Sequence, residues 1–361
     1  MKKWNTFLLT LISAAAGGFG TFFLLDYFAL DMGWSTLFWM ALYFFASHYA
    51  AVIIHEAGHL AGGALKGMKF SSMLVGPILL VKNKGRVSLR WEKHGLSIGG
   101  KATMYPDLSE RKASLPNQLY WHLLCGPLAS LIIGAAALYA SITLNVIWLF
   151  VFSAISLLAG VINLAARENR DAIPDGAALA HLKDPVKKEL LTAAYLIFGS
   201  IKDDWSELPA EVADRARRAV HQLPDHLLSA GIASSLAQYD MNRGAPAEAA
   251  DLLAAIGEHS PEGKRSFVWE QVDANYLMAC YLSGRTGDFS SIAARVHKRD
   301  ALAYEKARYA AAAISGQEQD AAHAYERAIY HSSRMFLIYG DGKLERNLLE
   351  QAELYRKEVS A

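Results

Sequence analysis

The sequence predicts a mainly α-helical protein: a polytopic membrane bundle of about four spans with a small membrane-associated β-hairpin, followed by a cytosolic α-helical repeat-like domain. Three observations lead there. Residues 4–25, 32–54 and 113–166 contain no Asp, Glu, Lys or Arg. Residues 72–91 break into short apolar runs with a turn signal between them. From about residue 203 onward, amphipathic helical stretches alternate with short Gly or Pro turns. The 361 residues are 53% hydrophobic, with 36 basic and 35 acidic side chains. A net charge of +1 argues against nucleic acid held by bulk positive charge. Two cysteines exclude a disulfide framework.

The near-neutral sum divides into an apolar, basic half before residue 201 and a polar, slightly acidic half after it. A bilayer core takes ~20 helical residues. The charge-free runs therefore read as spans near residues 4–28, 34–60, 118–142 and 146–166, with Thr143-Leu144-Asn145 as the turn between the last two. The first run starts after Lys2-Lys3 and is longer than the ~7–15 residues of a signal-peptide core. Lys and Arg cluster before span one, between residues 66 and 112, and after span four. The positive-inside rule makes that side the cytosol and puts both termini there.

Near the cytosolic end of span two stands His55-Glu56-Ala57-Gly58-His59. Histidines at i and i+4 share a helix face, so both imidazoles can reach one cation. The glutamate between them can take a proton from metal-bound water and pass it to a leaving amine. Ionisable groups inside a span are costly, and zinc is a natural compensating partner. A catalytic zinc needs a third protein ligand. Asp175 in Ile173-Pro174-Asp175-Gly176 is the nearest candidate, because Pro174 fixes the backbone and Gly176 permits a sharp turn. Asp171 and Glu168 are its rivals. His48 shares the His55 face two turns deeper and reads as a packing or supporting residue.

These residues resemble the site-2 protease family of intramembrane zinc metalloproteases. The resemblance rests on His55-Glu56-Ala57-Gly58-His59 in a transmembrane helix and on Ile98-Gly99-Gly100-Lys101-Ala102-Thr103-Met104 ahead of the next core helix. It rests also on Gly126-Pro127-Leu128-Ala129 in that helix and on Asn163 paired with Pro174-Asp175-Gly176. It covers residues 34–180 and implies a zinc endopeptidase of a cell membrane, expected to be bacterial. The implied roles are Zn²⁺ on His55, His59 and Asp175, catalysis by Glu56, and substrate binding by Asn163. Asn169 is a lesser alternative to Asn163. A substrate helix must unwind before it can be cut, and an edge strand can hold its freed backbone groups. Residues 72–91, with Asn83-Lys84-Gly85 as the turn, offer a hairpin for that role or simply a cap on the bundle.

The expected boundary separates a transmembrane zinc protease domain, residues 1–201, from a helical domain, residues 202–361. In the latter, Gly244 is followed by Ala249, Leu253 and Ile256, and Gly316 by Ala321, Tyr325 and Ala328 at the same offsets. The offsets resemble tetratricopeptide helix pairs. Such a stack suits a partner protein at the cytosolic mouth, with a membrane protein or peptide as substrate. A non-enzymatic membrane scaffold or receptor, its helical domain binding a partner, is the alternative function. A transporter fits poorly, because the spans are too few for two clear repeats.

Overall fold

The structure is a computed structural model that describes residues 33–83, 86–91, 99–106, 114–165, 168, 172–200, 208–258, 266–298, 300–332 and 341–360. The span expected at 4–28 and the residues Asn169 and Asp171 lie outside these. Contacts divide the chain into two compact units, Met1–Gly58 with Cys125–Ile162, and His59–Leu124 with Asn163–Ala361.

Among the described residues, the first unit is built on three apolar helices: α1 (Trp34–Leu65), α2 (Leu115–Leu144) and α3 (Ile147–Ala165). All three are long and apolar enough to cross a membrane. Their large apolar side chains are turned outward: Phe38 is 65% exposed, Phe45 61% and Ile132 65%. Water would penalise such a surface, and lipid does not. Inside, Ala51, Ala137 and Phe152 form a small core. Gly134 and Gly160 let α2 and α3 approach closely, since a Cβ on Gly160 would lie 2.8 Å from Leu131 Cγ. Asn145 takes φ 53° in the turn between them, a conformation asparagine tolerates.

The second unit begins at His59, within the last two turns of α1. Gly67, at φ 85°, closes that helix with bonds from its own N–H to the Ala64 carbonyl and from Met68 N–H to the Gly63 carbonyl. A four-stranded antiparallel sheet follows: β1 (Lys69–Val75), β2 (Ile78–Asn83), β3 (Arg86–Trp91) and β4 (Gly100–Tyr105), in the order β3-β2-β1-β4. The single hairpin expected at 72–91 is thus two hairpins and a fourth strand. Val75 pairs with Ile78 across Gly76-Pro77, and Gly76 has φ 51°, which only a glycine adopts cheaply in so short a loop. β1 and β2 bury Met73, Leu74, Val75 and Leu79. Edge strand β3 exposes Val87, Leu89 and Trp91, alternate residues on one face.

Among the described residues, ten helices follow in the same unit: α4 (Asp175–His181), α5 (Pro185–Ser200), α6 (Ala210–Gln222), α7 (Leu227–Asn242), α8 (Pro246–Gly257), α9 (Phe267–Leu282), α10 (Ser290–Ala293), α11 (Ala301–Ile314), α12 (Glu318–Ser332) and α13 (Asp341–Ser360). One apolar cluster runs through α5 to α13. Gly244 at φ 82° joins α7 to α8, and Gly316 at φ 70° joins α11 to α12. Ala249, Leu253 and Ile256 are buried behind the first, Ala321 and Ala328 behind the second. The last helix, α13, reaches across to earlier ones: Glu345 accepts from Gln238 of α7 at 2.5 Å and from Lys306 of α11 at 2.7 Å.

Candidate metal centre

Helix α1 carries His55, Glu56 and His59, all buried, at 7%, 5% and 5% exposure. Helix period sets the two imidazoles one turn apart on one face. Gly58 explains why this turn can lie deep in packed helices. A Cβ there would fall 2.4 Å from the Cys125 carbonyl oxygen and 2.7 Å from Ala129 Cβ, so only glycine admits α2 this closely. Pro127 stands in the same stretch of α2 and lacks an N–H for the regular helix ladder.

Each histidine is held by its Nδ1. His55 Nδ1 lies 3.0 Å from Ser130 Oγ, and the Ser130 carbonyl accepts a bond from Ser156 Oγ at 2.9 Å. His59 Nδ1 donates to the His122 carbonyl at 2.6 Å, and His122 Nδ1 donates back to the His59 carbonyl at 3.0 Å. Gly63 leaves room for this exchange, since a Cβ there would crowd His122 Nδ1 at 3.3 Å. Metal-binding histidines are ordinarily oriented by such a bond on the nitrogen away from the metal.

A carbonyl only accepts, so the proton of a neutral His59 ring sits on Nδ1 and Nε2 presents a lone pair. That Nε2 lies 3.3 Å from Asp175 Oδ2. Two lone pairs facing at this distance repel unless the ring takes a second proton or a cation lies between them. Two ligands ~2.1 Å from a tetrahedral zinc stand about 3.4 Å apart, which matches. His55, His59 and Asp175 each offer a ligand atom, all within 4.8 Å of one another. Two imidazoles and a carboxylate suit zinc and leave a coordination position open. The Asp175 side chain keeps 17% exposure, against 7% for that of His59, so the group is more open on the aspartate side.

Asp175 is placed differently from the turn read in the sequence. Pro174, at φ −64° and ψ 163°, precedes the first residue of α4, and Asp175 opens that helix. Gly176 serves a close approach rather than a sharp turn. A Cβ there would lie 2.1 Å from the Leu164 carbonyl oxygen and 2.9 Å from that of Asn163. The end of α3 and the start of α4 are therefore in contact, and Asn163, half-buried, reaches the Asp175 helix through its backbone. Glu168, the rival ligand, instead meets His181 and His226 at 3.1 and 3.0 Å. His48 is exposed beside Tyr49.

Neither Ser130 nor His122 stood out in the sequence. A polar residue on an apolar span was the available signal for both, because such residues seldom lie idle.

A family model described as peptidase family M50 matches residues 43–331, most of the chain. No curated protein and no solved structure matches.

Proposed function

Because the chain belongs to peptidase family M50, the site-2 protease family, we propose that it is a zinc endopeptidase cutting a peptide bond within or next to a transmembrane segment. The observation that carries this reading is the convergence of His59 Nε2 and Asp175 Oδ2 at 3.3 Å with His55 one turn away on the same helix. His55, His59 and Asp175 would hold the ion. Zinc, when bound, supplies Lewis acidity that lowers the pKa of water and polarises a carbonyl. Glu56, buried on the same turn, takes the proton of the attacking water at its carboxylate and delivers it to the amine leaving the cleaved bond. Asn163 orients the substrate strand or its scissile carbonyl. Burial of the group keeps its charges in a low-dielectric setting, where they act more strongly.

A transmembrane substrate must unwind to expose its peptide bond, and its freed N–H and C=O groups need partners. Strand β3 pairs only with β2 among the described strands, which supports an edge that receives such a strand. The membrane part would have four spans, with residues 4–28 as the first, and both termini in the cytosol of a bacterial cell. The equal offsets behind Gly244 and Gly316 support a tetratricopeptide-like domain from residue 202 that recruits or gates substrate.

Cells carrying wild type or Glu56→Gln, compared by their membrane peptide ends, test the enzyme. The variant keeps zinc and loses the cleavage. Identical ends would sink the protease and leave a non-enzymatic scaffold.

A further inference from the structure

Outside the candidate metal centre, one group of titratable side chains stands apart. Glu168 lies just past α3, His181 ends α4, and His226 precedes α7. Both imidazoles are buried, at 3% and 9% exposure. His181 Nε2 donates to Glu168 Oε2 at 3.1 Å. His226 Nε2 lies 3.0 Å from Glu168 Oε1, an ion-pair distance with the N–H turned off the line of a hydrogen bond. The rings themselves meet edge-on at 5.2 Å.

The composition is that of a second metal site, with ligand atoms within 4.8 Å of one another. The tautomer argues otherwise. His226 caps α7 by accepting the Leu228 N–H on Nδ1 at 3.1 Å. A neutral ring that accepts on Nδ1 carries its proton on Nε2, where a metal would need a lone pair. His181 likewise turns a protonated nitrogen to the carboxylate. Neither Nε2 therefore offers a cation a lone pair, and Lys187 Nζ, 4.0 Å from Glu168 Oε2, supplies positive charge beside the carboxylate.

What the group joins gives it a use. Asp175 lies midway between Glu168 and His181, so their bond closes the segment that presents the aspartate. Gly176, against Leu164 and Asn163, holds the middle of that segment, and the Glu168–His181 bond joins its two ends. His226 ties the same carboxylate to the first turn of α7. Leu228, the second residue of that helix, packs on the apolar cluster that holds Ala178 of α4. The start of α7 thus meets the Glu168 carboxylate through its capping residue His226 and shares the apolar cluster of Ala178 through Leu228.

We infer that Glu168, His181 and His226 form a clamp that positions Asp175 and makes the metal affinity of the His55, His59 and Asp175 group depend on how α7 is seated. A partner that shifts α7 changes the site without reaching it. The inference rests on the proposed ligand role of Asp175.

The test is zinc affinity of the purified full chain in detergent, stripped of metal and titrated against a chromophoric chelator. His226→Asn is the informative variant. Asparagine is a preferred helix cap, so Leu228 keeps an acceptor, but the shorter side chain loses Glu168. The affinity should fall about 10-fold, the lower end for a residue that supports a ligand from outside. Thermal unfolding of the helical domain should stay at its wild-type midpoint. Glu168→Gln, which can accept from only one imidazole, should fall similarly, and the double variant no further than the worse single one. Wild-type affinity in His226→Asn overturns the clamp. So does a second zinc per wild-type chain that vanishes in this variant. Asp175→Ala separates the two levels: if it leaves affinity unchanged, the ligand reading falls and takes the clamp with it. If it weakens binding while His226→Asn does not, the clamp alone falls.

Discussion

Gly176→Ala places a methyl group where the structure has room for a hydrogen. The added Cβ would start 2.1 Å from the Leu164 carbonyl oxygen and 2.6 Å from its carbon, while real Cβ atoms keep at least 3.0 Å from such neighbours. The first turn of α4 must then back away from α3 by about 0.9 Å, the difference between 3.0 and 2.1 Å. Backbone atoms form the obstacle, so no side-chain rotation relieves it. Asp175 moves with its helix, away from a His59 Nε2 now 3.3 Å from its oxygen. Zinc sites tolerate ligand errors of only ~0.2 Å, several-fold less than this displacement. A misplacement of about 1 Å at reacting groups typically costs roughly 100-fold in rate. We expect zinc affinity to fall at least ~10-fold with helix content unchanged, read by chelator competition and circular dichroism. Gly231→Ala is the control. A Cβ at that position, inside α7, meets only Val268 Cγ1 at an ordinary 3.9 Å. It should leave zinc binding alone and stabilise the fold by about 0.5–1 kcal/mol through helix propensity. Wild-type zinc affinity in Gly176→Ala would refute the argument that this contact places Asp175.

Two further outcomes follow from buried charge. Lys306 is fully buried, and its ammonium donates to both Glu345 carboxylate oxygens at 2.7 and 2.9 Å and to Asn275 Oδ1 at 2.6 Å. Glu345→Ala removes the counter-charge from a buried ammonium and should cost about 3–5 kcal/mol in urea unfolding. A loss under ~1 kcal/mol, typical of a surface pair, would contradict the burial. Burial also holds His181 and His226 below the usual histidine range, with Lys187 pushing the same way and Glu168 opposing. A base whose folded pKa is lowered stabilises the fold above its unfolded pKa of ~6.5, and that contribution fades as pH falls below it. The unfolding midpoint should therefore drop between about pH 7 and pH 5, and drop less in His226→Asn. Equal slopes in the two proteins would contradict it.

Much of the bundle was legible because lipid imposes a local rule. A span must be long, apolar and helical, and residues 32–54 and 113–166 obey it without reference to any other part of the chain. Thr143-Leu144-Asn145 interrupts the second run where the helix really turns. The fourth strand was not legible, because the six residues of β4 mix Gly, Lys and Thr and become a strand only by pairing with β1. The break at Gly76-Pro77 separates two apolar runs in the sequence, but only the pairing of Val75 with Ile78 makes it a hairpin turn.

The candidate site divides in the same way. His55, Glu56 and His59 are a property of the sequence alone, since helix period puts i and i+4 on one face wherever the helix lies. The rest is tertiary. Asp175 and Glu168 are both acidic residues shortly after α3; Pro174 and Gly176 favour Asp175 in the sequence, but they do not say which carboxylate reaches His59. Packing decides. Gly176 lies against the end of α3 and brings Asp175 to His59, while His181 and His226 take Glu168 elsewhere. Ser130 and the His122 carbonyl, which orient the two imidazoles, stand 75 and 63 residues away in the chain. Periodicity carries no information over such separations, because they are set by which helix faces meet.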